Sequence, residues 1–290
     1  LPFFVISRLI LKTGAIHAIS RLFKPFVKPL FNLPGQAAFP LITGWFSGYP
    51  AGAKYTADLY ENGLLTKNEA QRLLAFCNNS GPLFIVGAVG TGFFKSPKLG
   101  IVLLVCHLLA SISVGIAYGL ISRLKGCGNE AEKIARAETR VAISGHMLTD
   151  AILDAMKVLL QICGTIIFFA VLVQALETAG LFMILGNLSA SRQANVLAEG
   201  LKVFVAGSLE VTYGLYLLSA SNGIPHYLKV LLTSFLCGFG GFSVHTQVTG
   251  LCPADLKLKQ YFWGKLTHGV LAMVYTGLFL ANGTIPVMTN

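Results

Sequence analysis

The sequence predicts an all-α polytopic membrane protein made of two inverted repeats, each with a re-entrant helical hairpin and a discontinuous transmembrane helix. Composition points there first. Of the 290 residues, 54% are hydrophobic and 12% are charged, and mean hydropathy is +0.69. A soluble domain carries about 25% charged residues, so a water-soluble fold and disorder are both excluded. The second observation is a set of uncharged windows long enough to cross lipid, and the third is an internal repeat.

A spanning helix needs about 20 mostly apolar residues. Windows 101–120, 158–176 and 266–285 qualify directly, with no Lys, Arg, Asp or Glu. Windows 73–94 and 230–254 are also uncharged, but runs hostile to helix interrupt them: Asn78-Asn79-Ser80-Gly81-Pro82 and Gly238-Phe239-Gly240-Gly241. Each Gly disfavours helix by about 1 kcal/mol and Pro by about 3, so both windows are expected to be broken helices. Before each lies a shorter interrupted stretch, 38–53 with Ser47, Gly48, Tyr49, Pro50 and Gly52, and 203–218 with Glu210, Thr212, Tyr213 and Gly214. Neither arm of these stretches is long enough to span, which predicts re-entrant hairpins.

Four landmarks recur at nearly one spacing. Phe3 returns as Phe168, Gly52 as Gly214, Asn78 as Gly240 and His107 as His268, at separations of 165, 162, 162 and 161 residues. The expected organisation is a first repeat over 1–123, a cytoplasmic loop over 124–146 and a second repeat over 147–290. Three crossings per repeat, the first starting at Pro2, would invert the second copy relative to the first. The 22 Lys and Arg exceed the 12 Asp and Glu, for a net charge of +10. This excess reads as basic cytoplasmic loops and contact with anionic headgroups rather than nucleic-acid binding. Arg21, Lys24, Lys28, Lys67, Arg72, Arg123, Lys125, Lys133, Arg136, Arg140, Lys257, Lys259 and Lys265 fall on one expected side, which the positive-inside rule makes cytoplasmic. The sequence starts at Leu1-Pro-Phe-Phe without an initiator Met or a signal-peptide pattern, as expected of a start inside a longer protein. Six cysteines without a Cys-x-x-Cys pair read as small buried hydrophobes.

Two hairpins and two broken helices predict a site at mid-membrane where the four interruptions meet. Helix N-termini there offer N–H donors and C-termini offer carbonyls, so a polar solute can be held without a full buried charge. In the first half the candidate contacts are Ser47, Tyr49, Asn78, Asn79 and Ser80. Adjacent amides suit the edge of a heterocyclic base, although Asn78 and Asn79 equally suit capping of the broken helix ends. The second half offers Glu210, Thr212, Tyr213, Ser243, His245, Thr246 and Gln247. Glu210 is the only acid between Glu199 and Asp255, and a carboxylate inside a membrane is functional by default. It can bind a cation, carry a proton or accept from sugar hydroxyls, the bland alternative being a salt bridge. Gly48, Pro50, Gly52, Gly81, Pro82, Gly214, Gly240 and Gly241 shape the tips and breaks.

His245 titrates in the physiological range when unperturbed, but a lone His in an apolar helix is more often simply hydrogen-bonded. His107 and His268 read as packing or a helix-to-helix hydrogen bond. The spacings of Lys54, Asp58 and Glu61, and of Asp150, Asp154 and Lys157, predict local neutralisation. The first helix, punctuated by Arg8, Lys12, His17, Arg21, Lys24 and Lys28, has the character of an interfacial segment. No Gly-x-Ser-x-Gly, His-Glu-x-x-His or Walker motif occurs, so no enzyme activity is expected. Neither a resident cofactor nor a metal is expected, only a coupling ion, H+ or Na+. The expected partners are membrane lipid, a small polar solute and further copies of the chain.

Leu1-Pro-Phe-Phe-Val-Ile-Ser7, Ser47-Gly-Tyr-Pro-Ala-Gly-Ala-Lys54, the stretch Leu74 to Gly92 around Asn78-Asn79, and Gly241-Phe-Ser-Val-His-Thr-Gln247 resemble the sporulation integral membrane protein YlbJ family. That resemblance covers nearly the whole chain. It implies two nucleoside-recognition (Gate) segments, a multi-pass location in the cell membrane of a spore-forming bacterium, in its forespore or mother cell, and a role in forming heat-resistant spores. It also implies a distant relation to concentrative nucleoside transporters and to the membrane part of ferrous-iron transporters. Three readings follow: a secondary transporter for a nucleoside-like or other small polar solute, a metal-ion permease, and a non-transporting component of spore assembly.

Overall fold

Short helices broken by glycine, proline and asparagine alternate with long apolar ones in the computed structural model, which describes residues 2–126, 146–181 and 192–282. In chain order these are α1 (Pro2–Lys12), α2 (Ile16–Phe31), α3 (Ala38–Ser47), α4 (Ala51–Glu61), α5 (Lys67–Cys77), the π-wound α6 (Leu83–Phe93) and α7 (Pro97–Leu124). Then come α8 (Met147–Thr178), α9 (Arg192–Leu209), α10 (Val211–Ala220), α11 (His226–Phe239), α12 (Gly241–Leu251) and α13 (Lys259–Ala281). No strand occurs among the described residues. Most of the expected loop at 124–146 lies outside them, Lys133, Arg136 and Arg140 included.

Local chemistry sets the ends. Thr66 and Glu69 form a reciprocal capping box that starts α5. Asn32, left-handed at φ 53°, closes α2 by donating its N–H to the Lys28 carbonyl. Gly14, at φ 72°, separates α1 from α2, which leaves α1 with 11 residues. A helix of that length rises about 16 Å and falls short of crossing by itself, so the expected first crossing is not made by α1 alone.

Among the described residues three stretches are long and apolar enough to cross a membrane: α7, α8, and α11 with α12 taken together. Window 266–285, expected to span, is not among them. As folded, its helix begins at Lys259 and carries Lys259, Gln260, Lys265 and His268 in its first half, while 283–285 lie outside the described residues.

The described residues gather into two compact units. One draws on Leu1–Gly81, Ser111–Cys163 and Gln247–Gly264, the other on Pro82–Ala110, Gly164–Thr246 and Lys265–Asn290. Each unit therefore takes elements from both expected repeats, and α7 and α8 contribute a half to each.

Lipid is as apolar as Leu, so close backbone approach replaces the hydrophobic effect in holding such helices together. In the first unit the Phe31 and Phe76 rings, 5.0 Å apart, lie against Gly115 of α7. Arg8 of α1 pairs with Asp154 of α8 at 3.0 Å and with Asp58 of α4 at 3.5 Å, and Lys12 pairs with Asp150 at 3.4 Å. The basic residues of α1 thus take the acids of α8 that the sequence had paired with Lys157. Lys54 and Asp58 do pair locally, at 2.6 Å. In the second unit α11 and α13 touch at Gly238 and Gly269, and Ser234 shares a 2.8 Å hydrogen bond with Thr276.

Candidate functional site

In the first unit the turn between α3 and α4 lies on the break that follows α5. Gly48 adopts φ 82°, and a Cβ placed on it would stand 3.0 Å from the Gly81 amide nitrogen. Gly44 and Gly52, one on each arm, close on the Cys77 carbonyl, so any side chain at either position would strike backbone. The break then leaves helix-end carbonyls to be satisfied by other groups. The Phe76 carbonyl accepts from the Asn79 amide at 2.8 Å and from the Ser111 hydroxyl at 2.8 Å, and Ser111 in turn accepts from Trp45 Nε1 at 3.2 Å.

Asn78, Asn79 and Ser80 are all buried. Asn78 donates to the Tyr261 hydroxyl at 3.4 Å. The Asn79 side-chain oxygen is buried without a hydrogen-bond partner, an arrangement that disfavours the site unless something donates to it. Ser47 and Tyr49 are partly buried on the turn, and Pro50 and Pro82 open α4 and α6.

The second unit repeats this layout with different side chains. Glu210, 2% exposed, sits between α9 and α10 and accepts from the Tyr213 N–H at 2.7 Å, so it caps α10. The two arms meet at Gly207 and Gly214. Gly240 and Gly241, at φ 87° and 74°, turn the chain from α11 into α12, and a Cβ on Gly241 would stand 3.0 Å from the Gly207 carbonyl oxygen. Beyond this turn Ser243 is fully buried, its hydroxyl without a hydrogen-bond partner. His245 bonds the Phe239 carbonyl at 3.2 Å.

Not every expected contact gathers at these turns. Thr212 and Thr246 are exposed. Tyr213 directs its hydroxyl to Glu177 at 3.2 Å and Gln174 at 3.4 Å on α8, where Lys202 also pairs with Glu177 at 2.6 Å. Gln247 belongs with the first unit, where its carbonyl accepts from Gln161 at 3.4 Å.

Lys265 is where the sequence reading fails most clearly. Counted there with the cytoplasmic charges, it is fully buried. Its ammonium donates to Nδ1 of His268 at 3.2 Å, and Nε2 of His268 donates to the His107 carbonyl at 3.0 Å. The two imidazoles, expected to pack or bond across helices, lie 4.4 Å apart. Hydropathy averaged over a window hides one Lys among apolar residues. The signal available was its position three residues before a His already singled out by the repeat.

A family model described as nucleoside recognition (Gate) matches residues 1–97. The sporulation integral membrane protein YlbJ of Bacillus subtilis is 33% identical over 304 residues, covering 96% of this chain and 72% of that protein. The chain belongs to the YlbJ family. An uncharacterized protein of Alkalihalophilus pseudofirmus is 25% identical over 107 residues, 36% of this chain and 23% of that protein. No solved structure matches significantly. Membership in an integral membrane family agrees with the apolar helices, and the Gate match spans the first turn and its facing break, Ser47 to Pro82, in one stretch.

Proposed function

We propose that this membrane protein carries a small polar solute of nucleoside-like chemistry across the cell membrane of a sporulating bacterium, driven by H+ or Na+. The proposal takes 1–123 and 147–290 as inverted repeats and α3–α4 and α9–α10 as re-entrant hairpins. One observation supports it most: in each unit a helix–turn–helix tip packs on a glycine-shaped helix break through backbone contacts, at Gly48 and Gly81 and again at Gly207 and Gly241. Beside each break lies a buried polar atom without a protein partner, the Asn79 side-chain oxygen and the Ser243 hydroxyl. Irregular backbone at membrane depth survives where it meets protein, water or ligand, and buried unsatisfied groups call for such a ligand. Glu210 and Asn79 then serve the solute or its coupling ion as well as capping their helices. In the host, loss of the protein is expected to lower the yield of heat-resistant spores.

The test begins with a thermal-shift screen of purified protein against nucleosides, amino acids, dipicolinate and metal ions, followed by uptake of any stabilising compound into proteoliposomes. Asn79→Ala and Glu210→Gln are expected to abolish uptake with melting and elution behaviour unchanged, since a Gln side chain still accepts from the Tyr213 N–H. Normal uptake by both variants would overturn the site.

A further inference from the structure

Four cations from two helices converge on one groove at the end of α2. Arg21, Lys24 and Lys28 lie at i, i+3 and i+7, on one strip of the helix, and Arg123 comes from the last turn of α7. Together with Pro25, Pro29 and Asn32 they line a cavity of about 620 Å³. Arg123 is fixed there, because its guanidinium donates to the Lys28 carbonyl at 3.1 Å and also to the Pro29 carbonyl, two carbonyls in the last turn of α2. The end of α2 is itself held. The Asn32 carbonyl accepts from Arg72 at 2.9 Å, and the Asn32 amide donates to Ser122 at 3.1 Å. The groove is therefore a built feature rather than a chance cluster of surface lysines.

On another strip of the same helix, Leu22, Phe26 and Leu30 follow at i, i+4 and i+8, and Leu22 and Phe26 are 67% and 62% exposed. A soluble anion has no use for that apolar strip. A phospholipid needs both, cations for its phosphate and apolar side chains for the start of its acyl chains. Guanidinium and ammonium groups together suit a phosphodiester, the first through its planar fork and the second as a point charge. Basic pockets beside membrane helices on the cytoplasmic side bind acidic headgroups in this way, and the charge distribution along the sequence expects this set to be cytoplasmic.

We propose that the groove formed by Arg21, Lys24, Lys28 and Arg123 is a binding site for the headgroup of an anionic phospholipid, whose acyl chains run along Leu22, Phe26 and Leu30. The site stands apart from the tips and breaks and does not depend on any transport activity. Lipid occupancy ties α2 to the end of α7 through one phosphate, joining two elements 90 residues or more apart in sequence.

The experiment is native mass spectrometry of the purified chain in detergent with phosphatidylglycerol or phosphatidylcholine added at matched concentrations. The wild-type chain is expected to retain phosphatidylglycerol in preference. The combined variant Arg21→Gln, Lys24→Gln, Lys28→Gln is expected to lose that preference by roughly tenfold or more. The exposed pair Lys98→Gln, Lys257→Gln, which removes charge elsewhere, is expected to keep it. Lys24→Gln alone gives a graded loss and serves if the triple variant does not elute as a monodisperse protein. Undiminished preference in the variants that fold, or equal retention of both lipids by the wild type, would overturn the proposal. Displacement of phosphatidylglycerol by excess inorganic phosphate would overturn the lipid assignment in favour of a soluble anion.

Discussion

At the scale of single residues, the polar groups divide into those whose partners sit nearby in sequence and those whose partners do not. Tyr60 and Asp255 belong to the second kind. The Tyr60 hydroxyl donates to the Asp255 carboxylate, and Lys67 approaches it at 3.5 Å. The hydrogen bond first, and the Lys67 charge after it, hold the Asp255 carboxyl below its ordinary value. A lowered carboxylate adds stability above its unfolded pKa, near 3.9, and that stability is lost as pH falls through the lower folded value. Thermal melting of the wild type is therefore expected to weaken as pH drops below about 4. Tyr60→Phe is expected to show a smaller acid-side loss over the same window. An identical pH profile for the two proteins would remove Asp255 from the account. Glu210 was legible in the sequence as a lone acid at a turn, and its capping bond follows from that position. Lys265 was not, because its burial depends on His268 and on helices far away in the chain, which no local window contains. The pairing of Arg8 and Lys12 with Asp154 and Asp150 was hidden for the same reason, since those acids have a plausible Lys157 beside them.

At the scale of elements, the breaks were the most readable feature. Asn78 to Pro82 and Gly240-Gly241 cannot continue a helix, and each ends one. The π winding of α6 had no such signal, since Leu83 to Phe93 reads as an ordinary apolar helix rich in glycine. What holds the short elements together is backbone proximity, and this leads to a direct expectation. Gly44→Ala and Gly214→Ala each push a methyl group into backbone atoms, and overpacking of this kind costs about 1–3 kcal/mol. Gly164→Ala on α8, where a Cβ meets open space, removes a helix-weakening residue and is expected to be neutral or stabilising by up to about 1 kcal/mol. Melting temperatures of the three purified variants test this. Equal behaviour of Gly44→Ala and Gly164→Ala would show that close approach is not what packs α3 on the end of α5.

For the whole molecule, the charge asymmetry makes a claim about topology that side chains can report. By the positive-inside rule Lys257 is expected on the cytoplasmic side and Lys98 on the opposite one. Both are exposed. With a membrane-impermeant maleimide on intact cells, Lys98→Cys is expected to label above the wild-type background, and Lys257→Cys only after permeabilisation. The reverse pattern would invert the orientation and with it the expected surroundings of the α2 groove. Burial also differs among the spans. Only 11% of the most apolar stretch of α8 is buried, against 50% for α7, so α8 presents most of its length to whatever surrounds the chain. Composition made the lipid environment legible, and the fourfold recurrence pointed to duplication. The two compact units were not legible, because they cut α7 and α8 in half and so follow no boundary along the sequence.

The glycines that clasp the Cys77 carbonyl, and those that join α9 to α10, carry a consequence for how such a protein can change over generations. Residues with a partly open side chain at these turns, such as Ser47, can be exchanged while the scaffold persists. Positions 44, 52 and 214 have no such freedom, since even the smallest replacement meets main chain. Sequence change is therefore channelled onto the polar neighbours of an inflexible frame, and the residues with the least chemistry of their own set the limits within which the others vary.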